Sequence, residues 1–244
     1  MGENIKEFKV GGVHIPGEKD INNKLAIKKM PFPDRVIIPT RQHIGKPGNI
    51  IVEKGDYVKR GQCLVEEVEG FSARLHASIS GEIIDIVEMQ DASDNKVNSI
   101  IIEKKNDGND QIDFEEEIIS HEKITAEAVK TIVKNAGVIG MGGAGFPAHI
   151  KLNPPEDKEI DTVIINGAEC EPYISIDDRT MQERPEDIFR GLDLIKRTVG
   201  AKKGIIACED NKPAAIEKLR QEEINWPDLS CEILDSRYPH GAEK

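Results

Sequence analysis

From Gly137 to Pro147 the chain reads GVIGMGGAGFP, which places five glycines within nine residues. Glycine has no Cβ and enters positive φ freely. Successive main-chain N–H groups in such a run can therefore turn inward and hold an anion such as phosphate. The same bareness lets a flat ring lie close to the backbone. Lys151, a few residues further on, can pair with a phosphate charge. The spacing is not the dinucleotide fingerprint, because GxGxxG should follow a strand and open a helix, and here the glycines follow a helical pattern. It is not a P-loop either, since no GKS or GKT closes it. A flexible loop has the same composition, so the stretch by itself leaves both readings open.

A second cluster, NGAECEP from Asn166 to Pro172, stands at the carboxyl end of the apolar β-type run Thr162–Ile165. In open α/β sheets ligands bind at that edge. Asn166 offers donors and acceptors, while Glu169 and Glu171 can accept from ribose hydroxyls or amides. The competing reading is a solvated acidic turn. The six histidines show no HExxH-like spacing, and Cys63, Cys170, Cys208 and Cys231 form no CxxC pair. Zinc and iron–sulfur sites use short local spacings, so no metal centre is expected and the thiols read as reduced and structural.

These residues need elements to position them. Residues 1–33 are polar, interrupted by Gly11-Gly12, Pro16, Pro31 and Pro33, and read as an arm that packs on something else. Residues 34–104 hold short β-type runs punctuated by glycines, the pattern of a small all-β barrel or sandwich. Residues 105–120 are an acidic linker. From 121 the period changes. Thr125 caps a predicted helix through AEAVKTIVKNA, with Ile124, Ala128, Ile132, Val133 and Ala136 on its apolar side and Gly137 as its stop. Strands are predicted at Thr162–Ile165, Gly204–Cys208 and Cys231–Leu234, with helices at Pro185–Val199 and Pro213–Glu222. That alternation means a parallel α/β sheet. The predicted fold class is thus α/β: a Rossmann-like parallel sheet over residues 121–244, preceded by a small all-β barrel-sandwich domain.

The formal charge of −12 argues against nucleic-acid binding, which needs clustered Lys and Arg. No apolar run reaches the roughly 18 residues that cross a bilayer, and the N-terminus lacks a signal-peptide core. A cytoplasmic location is expected, with membrane docking only through partners.

Several motifs resemble a known family in the right order. GGVHIP, VIIPTRQHIGKP, GDYVKRGQ and HASISG, followed by GMGGAGFPAHIKL and INGAECEPY, look like the RnfC subunit of the Rnf electron-transport complex. The last two more distantly resemble the NADH-binding flavoprotein subunit of respiratory complex I. GDYVKRGQ and HASISG also resemble the lipoyl and biotinyl carrier fold. The hairpin tip near Glu69-Gly70-Phe71 has no lysine, so the barrel reads as scaffold rather than carrier. The complex I resemblance implies that Gly140, Gly142, Gly143 and Gly145 line flavin mononucleotide (FMN) and the nicotinamide nucleotide. Phe146 would stack near adenine and Lys151 approach the flavin phosphate. Asn166 and Glu169 would face the flavin, and Glu171 the NADH. Tyr238, Gly241 and Glu243 match a loop that lies beside the isoalloxazine. Ala168, Pro154 and Ala242 depart from that pattern.

What the family implies is a soluble FMN- and NAD(H)-binding subunit, peripheral on the inner face of the cell membrane. It would pass electrons between NAD(H) and iron–sulfur centres in a ferredoxin:NAD+ oxidoreductase that moves ions. The cofactor carries the chemistry, so no residue is expected to act as a proton-transfer catalyst. Partners would be the other membrane-complex subunits and a ferredoxin-linked iron–sulfur subunit. RnfC-like proteins continue into a β-grasp domain and 4Fe–4S clusters, so a continuation beyond Lys244 is expected to hold those clusters. Two alternatives stay open: an electron-delivery subunit of a soluble reductase, and a docking module whose flavin site is vestigial.

Overall fold

The computed structural model describes residues 11–91, 94–105, 120–141 and 143–239. They divide into two compact units. One runs from Met30 to Pro154. The other joins the N-terminal segment ending at Lys29 to the chain from Pro155 onward.

The first unit begins with Arg35–Pro39 (β1), Asn49–Ile50 (β2), Tyr57–Val58 (β3), Cys63–Glu66 (β4), Leu75–His76 (β5), Gly81–Gln90 (β6) and Lys96–Glu103 (β7). Two antiparallel sheets result, ordered β1-β7-β6-β3 and β2-β4-β5. Both sheets feed one core, in which Ile38, Val58, Leu64, Ile83, Ile100 and Ile102 are buried. Several glycine-bounded runs that look like full strands make only two-residue ladders, because the chain turns again almost at once. The Glu69–Phe71 segment lies in the connection between β4 and β5.

The helix Ala126–Asn135 (α1) completes this unit together with the short helix Ala148–Lys151 (α2). Thr125 caps α1 as expected, its hydroxyl accepting from the Ala128 N–H at 3.2 Å. The buried residue of α1 is Val129, whereas Ile132 is 47% exposed. The predicted apolar stripe is therefore displaced by one residue, about 100° around the helix. At the far end Val138 N–H reaches the Val133 carbonyl and Gly137 N–H the Lys134 carbonyl, a Schellman pair. Gly137 takes φ +64°, and a Cβ there would lie 2.2 Å from the Arg74 carbonyl oxygen. Glycine is thus required twice over, once for the turn and once for the close approach.

The second unit carries Thr162–Gly167 (β8), Ile176–Glu183 (α3), Pro185–Val199 (α4), Lys203–Glu209 (β9), Pro213–Glu223 (α5) and Leu229–Leu234 (β10). The three strands are parallel, in order β10-β9-β8. Their apolar residues pack with α4 and α5 around Phe189, Leu192, Ile206, Leu219 and Ile233, and Trp226 stacks on Phe189 at 6.4 Å. Pro185 opens α4 and Gly200, at φ +72°, closes it. The helix α3 has no counterpart among the predicted elements; its sequence, IDDRTMQE, has too few apolar residues to show a period. The N-terminal segment packs in this unit as an arm, with a 3-10 turn at Lys19–Ile21. Val13 pairs antiparallel with Tyr238, and the Tyr173 N–H bonds the Gly17 carbonyl.

Among the described residues no helix is long and apolar enough to cross a membrane. The compact units also cut the chain elsewhere than the sequence segments do. Residues 121–154, grouped by sequence with the parallel sheet, belong to the all-β unit, because α1 and the glycine loop dock on it through Lys134–Glu67, Gly137–Arg74 and Gly145–Gln42.

Candidate functional site

The glycine loop is the tip of a short hairpin. Ile139 pairs antiparallel with Pro147, and the Gly140 N–H donates to the Phe146 carbonyl at 2.9 Å. Gly145 has φ +66°, and a Cβ on it would stand 3.1 Å from both the Gln42 carbonyl oxygen and His43 Cα. The Ile44 N–H donates to the Gly145 carbonyl. His43 is itself buried: Nε2 accepts from the Ala73 N–H and Nδ1 bonds the Ile44 carbonyl. The loop thus rests on a rigid 42–44 segment. Between them runs a groove of about 700 Å³ lined by Arg41, Gln42, Gly140, Met141, Gly143 and Gly145. Met141 and Gly143 are exposed, and no described hydrogen bond engages the N–H of Met141, Gly143 or Ala144. Open amides beside a side-chain-free wall suit an anion or a ring. Gly142 lies outside the described residues.

Phe146 is half-buried, its ring 5.3 Å from that of Phe71. Lys151 Nζ sits 5.6 Å from the Phe146 ring centroid, at cation–π range. Neither residue lines the groove. Behind the loop, Glu67 receives Arg74 and Lys134. Burial would raise the Glu67 carboxyl, but its bonds to Arg74 and Lys134 prevail and hold it at about 2. Burial lowers both His76 and His149 below their ordinary value.

The acidic turn belongs to the other unit, at the carboxyl end of β8. Asn166 is exposed and its Oδ1 accepts from the Ala168 N–H at 3.0 Å. Glu171 is exposed. Glu169 is 2% exposed. Its Oε1 accepts from the Asp177 N–H at 2.8 Å, and its Oε2 faces Lys19 at 3.4 Å. Lys19 also donates to its carbonyl, while its own N–H donates to Glu209 Oε2 at 3.1 Å. Burial pushes the Glu169 carboxyl up; the Asp177 N–H, Lys19 and Lys212 oppose that rise. Tyr238 is 40% exposed, with its main chain tied to Val13. Gly241 and Glu243 lie outside the described residues.

Sequence reading missed the residues that hold Glu169. Lys212 and Glu209, 2% and 0% exposed, form a buried ion pair at 2.6 Å between the start of α5 and the end of β9. Lys19 comes from the arm, 150 residues away in sequence. The one available signal was a charged EDNKP run directly after an apolar strand, where a solvated turn would read the same. The thiols of Cys208 and Cys231 are buried, and burial pushes Cys208 up to about 12.

Two family models match the chain. The RnfC barrel sandwich hybrid domain covers residues 6–108, and the Nuo51 FMN-binding domain covers residues 133–244, both loops included. The chain is 39% identical over 98% of its length to a subunit of the proton-translocating ferredoxin:NAD(+) oxidoreductase complex of Clostridium ljungdahlii, covering 52% of that protein. It is 44% identical over 96% of its length to the corresponding subunit of the Na(+)-translocating complex of Acetobacterium woodii, covering 53% of it. Along the chain, an RnfC barrel sandwich hybrid domain match is thus followed by an FMN-binding domain match. The chain spans about half the length of these curated relatives. The chain also aligns with an NAD+-reducing [NiFe]-hydrogenase structure at TM-score 0.43 and 25% identity over 46% of this chain and 22% of that one, a likeness too slight to bear on the fold.

Proposed function

We propose that this chain is the FMN- and NAD(H)-binding part of the RnfC subunit of an ion-translocating ferredoxin:NAD+ oxidoreductase. The observation that carries the reading is the single FMN-binding-domain match across residues 133–244, which takes in the glycine loop and the acidic turn together. Gly140, Gly142, Gly143 and Gly145 would hold the flavin and nicotinamide nucleotide through the absence of Cβ atoms, beside the open amides of Met141, Gly143 and Ala144. Lys151 would counter a phosphate, and Phe146 would stack on adenine. Asn166, Glu171, Tyr238, Gly241 and Glu243 would complete the contacts, while Glu169 would act from beneath by shaping the turn. Bound FMN would accept hydride from NADH and release electrons one at a time to iron–sulfur centres. The protein's own part is positioning.

The finer architecture belongs to the same proposal: a Rossmann-like sheet, a lipoyl- or biotinyl-like barrel as scaffold, and domains at 34–104 and 121–244 with an arm and a linker. So does a peripheral place on the inner membrane face through partner subunits, with iron–sulfur clusters carried beyond these residues. A docking role with a vestigial site is the second reading, favoured by the burial of Glu169 under Lys19.

Titration of the full-length protein with FMN and with NADH, read by flavin fluorescence, tests the proposal. Lys151→Ala and Glu171→Ala are each expected to weaken binding about tenfold, the loss of one charge-assisted contact. Binding that ignores both substitutions would remove these residues from the site. No binding at all would leave the docking role.

A further inference from the structure

The N-terminal arm buries little apolar surface. Ile21 and Leu25 are 71% and 62% exposed, and the 3-10 turn Lys19–Ile21 contributes no buried residue. Main-chain bonds fix Val13 on Tyr238 and Ile27 on Glu183. Between those anchors the polar contacts fall on one stretch, residues 169–175, in the same compact unit. Lys19 Nζ donates to the Glu169 carbonyl and faces its Oε2 at 3.4 Å. Asn22 Nδ2 donates to the Tyr173 carbonyl at 2.6 Å, and Asn22 Oδ1 accepts from the Ser175 hydroxyl at 2.9 Å. The Gly17 carbonyl accepts from the Tyr173 N–H at 2.8 Å.

What the arm holds there is a strained backbone. Tyr173 has φ +68°. A bulky side chain disfavours that left-handed region, and such a residue persists where its surroundings over-determine it. The arm supplies the partners of both its main-chain groups, Gly17 for the N–H and Asn22 for the carbonyl. Glu18, beside Gly17, is also left-handed at φ +48°, so strain stands on both sides of the contact. Glu169 is the second held point, with its carbonyl and its carboxylate both on Lys19. Glu171 stands exposed midway between the two, and no described hydrogen bond engages its side chain. Its place is therefore set by the residues on either side of it.

We infer that the arm positions Glu171. Lys19 clamps the turn before it, and Gly17 and Asn22 clamp the turn after it through the left-handed backbone of Tyr173. The inference rests on the reading above, in which Glu171 meets NADH, and it names Lys19 and Asn22 as positioning residues. Freed of the arm, Tyr173 relaxes to an ordinary negative φ, and the main chain that carries Glu171 turns with it.

The test uses the full-length protein as wild type, Lys19→Ala, Asn22→Ala, Tyr173→Asn and the double variant Asn22→Ala with Tyr173→Asn. Two quantities are read: hydrogen exchange of the amides of residues 166–177 without nucleotide, and the calorimetric Kd for NADH. Lys19→Ala and Asn22→Ala are each expected to speed exchange in the turn and to weaken NADH about 5- to 10-fold, as loss of one or two hydrogen bonds does. Asparagine enters the left-handed region readily, so Tyr173→Asn should bind NADH as wild type does and bring Asn22→Ala back to within about 2-fold of it. Faster exchange with unchanged NADH affinity overturns the inference, because the arm then packs without positioning. Unchanged exchange overturns it too, as does a loss of affinity that Tyr173→Asn causes or does not restore. If Lys19→Ala unfolds by stranding the Glu169 charge, Asn22→Ala decides, since it strands none. A wild type that binds no NADH removes the nucleotide reading itself, and this role with it, whatever the exchange shows.

Discussion

At the scale of residues, burial separates carboxylates that look alike in sequence. Glu171 is exposed and available; Glu169, two residues earlier, is held on every side by Lys19, the Asp177 N–H and the Glu209–Lys212 pair. Glu67, which has no place in either motif, is the most strongly displaced acid near the glycine loop. Its carboxyl falls from an ordinary 4.5 to about 2. A carboxylate depressed on folding contributes stability that is complete above its unfolded value and lost as pH falls through its folded one. Glu67→Gln should therefore lower stability by about 1–2 kcal/mol at neutral pH. The gap from wild type should close between about pH 4.5 and pH 2. Urea midpoints measured across that range check it; a gap that persists at pH 2 would mean the pair does not act through its charge.

At the scale of elements, α1 decides where the glycine loop can be. Its start depends on one hydroxyl, so Thr125→Ala should cost about 1 kcal/mol in thermal unfolding. Its stop depends on Gly137. A methyl there meets the Arg74 carbonyl oxygen at 2.2 Å on a left-handed backbone, so the main chain itself must move. Gly137→Ala should exceed the roughly 1–2 kcal/mol that such a conformation alone costs. Circular dichroism melts of the two variants should rank Gly137→Ala well below Thr125→Ala. The inverse order would mean that the loop has slack at its root.

At the scale of the molecule the described residues form two cores, one around Leu64 and Ile100 and the other around Phe189 and Leu219. Phe189→Ala should cost about 3–5 kcal/mol and Leu64→Ala about 2–5 kcal/mol. Hydrogen exchange read by mass spectrometry should show each loss confined to its own unit: β8–β10 and α3–α5 for the first, β1–β7 for the second. Equal acceleration in both units after either change would show one cooperative body instead.

The sequence by itself determined the parallel sheet and the helices α4 and α5, though not α3, because their signals are local. Pro185 and Gly200 punctuate α4, β8 and β9 carry the apolar runs Val163–Ile165 and Ile205–Cys208, and β10 alternates buried Leu229, Cys231 and Ile233 with Ser230 and Glu232. It also carried the resemblance to one family, through motifs whose order survives without any knowledge of packing. The face of α1 was misread because Ile132 and Val129 are equally apolar, and only the neighbour they meet chooses between them. Glu169, Glu209, Lys212 and Lys19 were decided by tertiary structure alone. A charged residue declares nothing of its burial in sequence; that depends on whether a partner arrives, and for Glu169 the partner comes from an arm 150 residues earlier. The same holds for the glycine loop. Its composition announced open amides, but only the fold set it on the Gln42–Ile44 segment of the all-β unit and gave it the groove it lines.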